Sequence, residues 1–281
     1  MKSLLIPVDF TPTCDNAIAY SVEWARAYEY TRIILLKTFY GSMFDNLVPS
    51  ASNVNQDYMQ EERDEAREKL KALFQRVSAT AGSGIEVSVE TSELPLLRAI
   101  MEVVEDESPE LVVVGSDNYD YSSNSFIAGN VISIAKISPV RVLIVPSHST
   151  YKPVKQALVP CDFNVVETLD KLDSYQAATT VWKEKKLLVL NIDPEERYLH
   201  PDERFKKAET ALHEYLKNFQ HEVYYSSNKN IINGIIDFCK DHAVEVVIAL
   251  PRKHSFLYSL THKSISEAIY RNAMEPILIL K

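Results

Sequence analysis

Short apolar runs alternate with longer segments of helical period along the whole chain. In the first half the runs predict strands near 3–9, 32–39, 85–91, 111–116 and 141–146, with helices near 14–29, 56–80, 95–107 and 128–137. The 56–80 segment sets Met59, Ala66, Leu70, Leu73 and Val77 on one stripe, with most of its charges off it. The second half repeats the pattern, with strands near 155–161, 186–192, 221–226, 244–249 and 276–280. Its helix near 202–220 carries Phe205, Ala208, Leu212, Tyr215 and Phe219 inward. Leu111–Val114 and Val246–Leu250 are continuously apolar, as a strand buried on both faces requires. Strand–helix alternation of this kind predicts right-handed crossovers, a parallel sheet, and helices on both of its faces.

The two halves are copies. Leu5-Ile6-Pro7-Val8-Asp9-Phe10 recurs as Leu158-Val159-Pro160-Cys161-Asp162-Phe163, and the same offset sets Ile34-Leu35-Leu36 on Leu187-Leu188-Val189. Further on, Glu110–Val114 matches Glu245–Ala249 and Val142-Leu143-Ile144 matches Ile277-Leu278-Ile279 at a smaller offset. The second copy is therefore shorter in its middle. Gly41–Asn55 is turn-rich and aperiodic, and the loss is expected there. Two domains follow, 1–148 and 149–281, joined through the polar stretch Ser147–Pro153. The fold class is α/β: two tandem doubly wound domains, each a five-stranded parallel sheet with helices on both faces.

Composition narrows the function. The 281 residues are 46% hydrophobic and 25% charged, enough for two cores. A net charge of −9 argues against general nucleic-acid binding, which needs a basic footprint. No run of 18 or more apolar residues predicts a membrane span, and the N-terminal apolar run meets Pro7 and Asp9 too early for a signal peptide. Cys14, Cys161 and Cys239 lack ligand or disulfide spacing and are read as reduced, buried thiols of a cytoplasmic protein. There is no nucleophile elbow, Walker A lysine motif or His-Glu-x-x-His, so no enzyme is expected.

Pro7-Val8-Asp9-Phe10-Thr11 at the end of the first strand, a helix with Ala17 and Ala25, and a last strand entered through Ser138-Pro139-Val140 together resemble the UspA-like universal stress proteins. The resemblance spans both halves. It implies a strand order of 3-2-1-4-5 in each domain and pairing through the fifth strands. Val142–Val145 and Ile277–Leu280 are bare apolar edges, expected to pair antiparallel with each other inside the chain.

The resemblance also implies an adenine nucleotide, ATP or AMP, in the first domain. Nucleotide-binding relatives carry a glycine-rich loop after the fourth strand, where glycines admit phosphate close to the backbone and helix amides meet it. Counted without gaps, the corresponding positions here are Gly115, Asn118, Ala128 and Gly129, followed by Asn130; Asp9 and Thr38 would lie near ribose and adenine. The plainer alternative makes Gly115 and Gly129 turn and helix-entry residues, and Asp9 a cap on the strand-to-helix turn. In the second domain the same count gives Leu250, Lys253, Lys263 and Ser264, so close approach to a nucleotide is not expected. That loop is basic instead: Arg252, Lys253, His254, His262 and Lys263, with Ser264, form a candidate anion site or a solvated loop. Three functions stay open: a nucleotide-dependent regulator acting on an unidentified protein partner, a nucleotide-free platform for such a partner, and an anion-responsive site in the second domain.

Overall fold

The computed structural model describes residues 2–39, 54–117, 126–178, 184–250 and 275–281. Strand β1 (Ser3–Pro7) leads into α1 (Pro12–Ala27), and β2 (Arg32–Thr38) is followed by α2 (Val54–Ala81). Then come β3 (Glu86–Ser92), α3 (Leu96–Glu107), β4 (Leu111–Ser116), α4 (Phe126–Ile137) and β5 (Arg141–Pro146). The second half holds β6 (Gln156–Pro160), α5 (Asp170–Ala178), β7 (Lys186–Ile192), α6 (Glu203–Tyr215), β8 (Gln220–Ser226), α7 (Ile231–Asp241), β9 (Val246–Ala249) and β10 (Ile277–Ile279). Local chemistry sets the helix starts. The Thr11 hydroxyl accepts from the Cys14 amide with Pro12 opening α1, Asp202 accepts from the Phe205 amide before α6, and Asn230 accepts from the Ile232 and Asn233 amides before α7.

The ten strands of the described residues join one sheet, in the order β3-β2-β1-β4-β5-β10-β9-β6-β7-β8. Each half keeps the order 3-2-1-4-5 with parallel neighbours, and the halves meet where β5 pairs antiparallel with β10. In that seam Leu143 lies opposite Leu278, the equivalent residue of the other copy, flanked by Ile144 against Ile277 and Val142 against Ile279. All six side chains are buried. The free edges of the sheet are β3 and β8, whose sequences EVSVETS and QHEVYYS are mostly polar and partly exposed, which discourages edge-to-edge association.

The two cores are divided by sheet face rather than by copy. One face gathers Ile6, Trp24, Leu73, Val113, Val159 and Leu212; the other gathers Ile34, Ile100, Val112, Leu188, Ile235 and Val247. Each therefore runs through both halves. The joining stretch is part of this packing: Val154 is buried, Tyr151 meets Tyr20 edge-on at 5.3 Å, and the Asn16 amide donates to the Pro146 and Ser149 carbonyls at 2.9 and 3.0 Å.

Three expectations are corrected. Helix α2 has 28 residues and α6 only 13, so most of the length difference between the copies lies in the helix rather than in the preceding loop. The α6 helix stops at Tyr215, and Phe219 reaches the core from the turn beyond it. The register pairs Leu5 with Ile34 and Leu158 with Leu188, so Ile34 corresponds to Leu188 and not to Leu187. A slip of one residue would turn every side chain of the strand to the opposite face, so packing settles what sequence matching left one residue out. The start of the second half also differs, with a 3-10 segment (Phe163–Leu169) and the short α5 where the first half has the 16-residue α1.

Replacing Leu143 or Leu278 by alanine should each cost about 2–5 kcal/mol in urea unfolding, whereas Met101→Ala on the exposed side of α3 should change little. Leu143→Pro should break the seam and drive association visible by size-exclusion chromatography; a stable species eluting as the parent protein would contradict the seam's role. Burial also raises the pKa of the Tyr20, Tyr28 and Tyr30 hydroxyls. Their folded-state pKa lies above the unfolded value of about 10, so the stability they contribute is complete below that pH and falls as pH rises past it. Unfolding midpoints should therefore drop on the alkaline side, and a flat profile there would contradict this assignment.

Candidate functional site

The carboxyl ends of β1, β2 and β4 meet around the point where the strand order reverses between β1 and β4. Open α/β sheets form their ligand crevice at such a point. Asp9, Thr38 and Gly115 all stand there. Asp9 Oδ1 accepts from the Thr11 amide at 3.2 Å and from the Thr11 hydroxyl at 2.6 Å, and Thr11 in turn caps α1. The capping role anticipated for Asp9 is thus visible. Between them Phe10 adopts φ 60, in the left-handed region that a bulky residue occupies only when its surroundings hold it there.

Gly115 is glycine because of α1. A Cβ at this position would lie 2.6 Å from the Thr13 carbonyl oxygen and 2.9 Å from Thr13 Cγ2. The end of β4 and the first turn of α1 are in direct contact, so the missing side chain is explained by packing within the protein. It is not by itself a sign of phosphate.

Lys37, which sequence reasoning passed over, completes the cluster. It ends the buried run Ile33–Leu36 on the face of the sheet that α1 and α2 cover, half-buried, with its ammonium 5.1 Å from the Phe10 ring centre. Burial pulls its pKa below the usual lysine range, against the opposing pull of Asp9 and Cys14. A lysine directly following an apolar strand run was the available signal. Arg63 reaches the same edge from α2 and pairs with Glu93 at 2.8 Å.

The residues expected to line a phosphate are arranged differently from expectation. Helix α4 starts at Phe126, so Ala128 and Gly129 fall in its first turn rather than at its entry, and Asn130 lies one position further on, partly buried. The amides without an intrahelical acceptor belong to the residues before Gly129. Asn118 lies outside the described residues, as do Arg252, Lys253, His254, His262, Lys263 and Ser264 of the second half.

A model described as the universal stress protein family matches residues 1–146, just over half of the chain. The chain belongs to the universal stress protein family. A universal stress protein from Archaeoglobus fulgidus DSM 4304, 15% identical, aligns with 99% of this chain and 98% of its own at a TM-score of 0.65. A functionally unknown protein from Pseudomonas aeruginosa PAO1, 14% identical, aligns over 100% and 92% at 0.53. At these identities the likeness is one of fold, and it extends over both halves. No curated protein matches significantly.

Within the family fold, the second half has rebuilt the corresponding edge. Asp162 caps the Asn164 amide at 2.8 Å, as Asp9 serves Thr11. Beyond β7, the buried Asp193 carboxylate accepts two bonds from the Arg197 guanidinium, both 3.0 Å, and further ones from the Arg197 and Glu195 amides. The Arg197 hydrogen bond holds its carboxyl below the usual range. Among the described residues, a cavity of about 110 Å³ opens beside Asp162, Asn191, Arg197 and Phe205. The Asn191 carboxamide is buried in its wall, donating to the Cys161 carbonyl at 3.0 Å, while its oxygen has no partner among the described residues.

Gly115→Ala should destabilise the protein by about 1–3 kcal/mol. Combining it with Thr13→Ser should recover little, because the nearest atom is a backbone oxygen. Urea titration of the single and double variants checks this, and full recovery in the double variant would show that the side chain alone sets the limit.

Proposed function

We propose that this member of the family is a regulatory binder of an adenine nucleotide, ATP or AMP, at the first half only, and that binding rather than catalysis is its activity. The observation that carries the reading is the convergence of Asp9, Thr38 and Gly115 on the crevice between β1 and β4. Asp9 is held at the crevice rim by Thr11 and offers a carboxylate to sugar hydroxyls. Lys37 adds a partly desolvated cation close to it, and such a cation gains from an approaching phosphate. The amino end of α4 supplies amides of the kind that meet phosphate. In the second half, among the described residues, the Asp193–Arg197 turn occupies the same edge.

A second reading has a specific observation in its favour. The contact between Gly115 and Thr13 explains the glycine without any ligand, as a nucleotide-free platform would require. Calorimetric titration of the whole chain with ATP and with AMP separates the two. The nucleotide reading expects one site per chain, weakened roughly tenfold or more by Asp9→Ala, with Lys37→Gln reducing AMP binding more than adenosine binding. No heat at high protein concentration would leave the platform reading standing.

A further inference from the structure

Superposing the registers of the two copies sets Asn191 of β7 where the first half has Lys37. Leu5 pairs with Ile34 and Leu158 with Leu188, so Lys37 and Asn191, each three residues further on, are equivalent. Their neighbours are kept, since Asp9 and Phe10 recur as Asp162 and Phe163. Both positions follow core members of the same sheet face, Leu35 and Val189, by two residues. In the first half the lysine brings an ammonium to 5.1 Å from the Phe10 ring centre, where the Asp9 charge acts on it.

The second half presents the same surroundings without that ammonium on the strand. Asn191 is shorter, and with Asp162, Phe163, Arg197, Arg204 and Phe205 it lines the cavity of about 110 Å³. An apolar cavity of roughly 150 Å³ takes up benzene, so this one has room for a somewhat smaller molecule. Asp162 and Asn164 at its rim are exposed, which gives a way in.

The lining is built to accept hydrogen bonds. Asn191 is only 5% exposed. Its Nδ2 donates to the Cys161 carbonyl at 3.0 Å, and because a carbonyl only accepts, the orientation of the amide is fixed. Oδ1 is then the buried atom without a partner among the described residues, and a donor would relieve it. Asp162 accepts from the Asn164 amide and carboxamide, both at 2.8 Å and both on Oδ1. Phe163 and Phe205 form a tilted pair 4.8 Å apart, and ring faces attract cations. The two guanidiniums of the lining are engaged elsewhere: Arg197 with Asp193, and Arg204 with the Asn164 carboxamide oxygen at 2.9 Å.

We propose that this cavity binds a primary ammonium, the head of a small alkylamine, which takes in the second half the place that the Lys37 ammonium has in the first. Its N–H groups donate to Asn191 Oδ1 and to the Asp162 carboxylate, and its charge lies against the Phe163 ring.

The test titrates the whole chain with propylammonium chloride, propan-1-ol and tetramethylammonium chloride at constant ionic strength, reading heat and melting temperature. Propylammonium should bind at one site and raise the melting temperature, with each of the other two weaker by roughly tenfold or more. Propanol lacks the charge and tetramethylammonium lacks the donor; equal binding by either would overturn the assignment of a primary ammonium. No propylammonium binding would mean that the cavity takes water only, and would overturn the inference outright. Asp162→Asn, at an exposed position and retaining an oxygen for Asn164, should weaken binding roughly tenfold with circular dichroism unchanged. Asn191→Lys copies the first half and should abolish it. Unchanged binding in either folded variant would overturn the proposal, and Asp162→Asn decides alone if the lysine variant does not fold. Asp9→Ala should leave propylammonium binding intact, and its loss there would move the amine to the first half's crevice and overturn the site. Adenine-nucleotide binding can fail while amine binding persists, and the reverse, so the two readings fall separately.

Discussion

Two apolar strand edges that neither copy can leave in water cover each other at β5 and β10, and the rest of the molecule follows from that contact. Three residue pairs with Leu143 and Leu278 at the centre convert two five-stranded sheets into one of ten. The remaining edges, β3 and β8, carry charges and alternate polar positions instead. Because the sheet is continuous, each face buries one core through both halves, and unfolding one copy would strip packing from the other. The stretch between the copies is held against α1 by Asn16 and Tyr20 for the same reason.

The same sheet order creates a crevice in each half, and the two crevices have diverged. In the first half a cap, a strained Phe10 and a half-buried lysine gather beside the reversal point. In the second, Asp193 and Arg197 pair with each other at the corresponding edge. Two halves of one topology can thus carry different side chains at equivalent edges. The seam differs between its ends as well: the register that pairs Val112 with Val142 and Val247 with Ile277 sets Arg141 equivalent to Pro276 and Lys281 to Pro146.

Much of the fold was legible in the chain before any coordinates. The repeat, the strand order expected from the family resemblance, and the antiparallel meeting of the fifth strands all reappear. These succeed because apolar runs of strand length and stripes of helical period report burial directly. The site was less legible. Asp9 is placed at the crevice, but Gly115 proved to answer to Thr13, a residue distant in sequence that no local pattern could reveal. Lys37 escaped notice because a single charge after an apolar run looks like a strand end until the fold sets Asp9 and Phe10 beside it.

The sequence by itself determined the elements, their duplication and which strand edges could not face water, since these depend on local propensity and on the spacing of apolar residues. Register, the face on which each core forms and the company kept by each charged side chain were decided only in three dimensions. Those depend on contacts between segments far apart along the chain: Ile34 against Leu5, Thr13 against Gly115, and Lys281 against the Ala135 carbonyl.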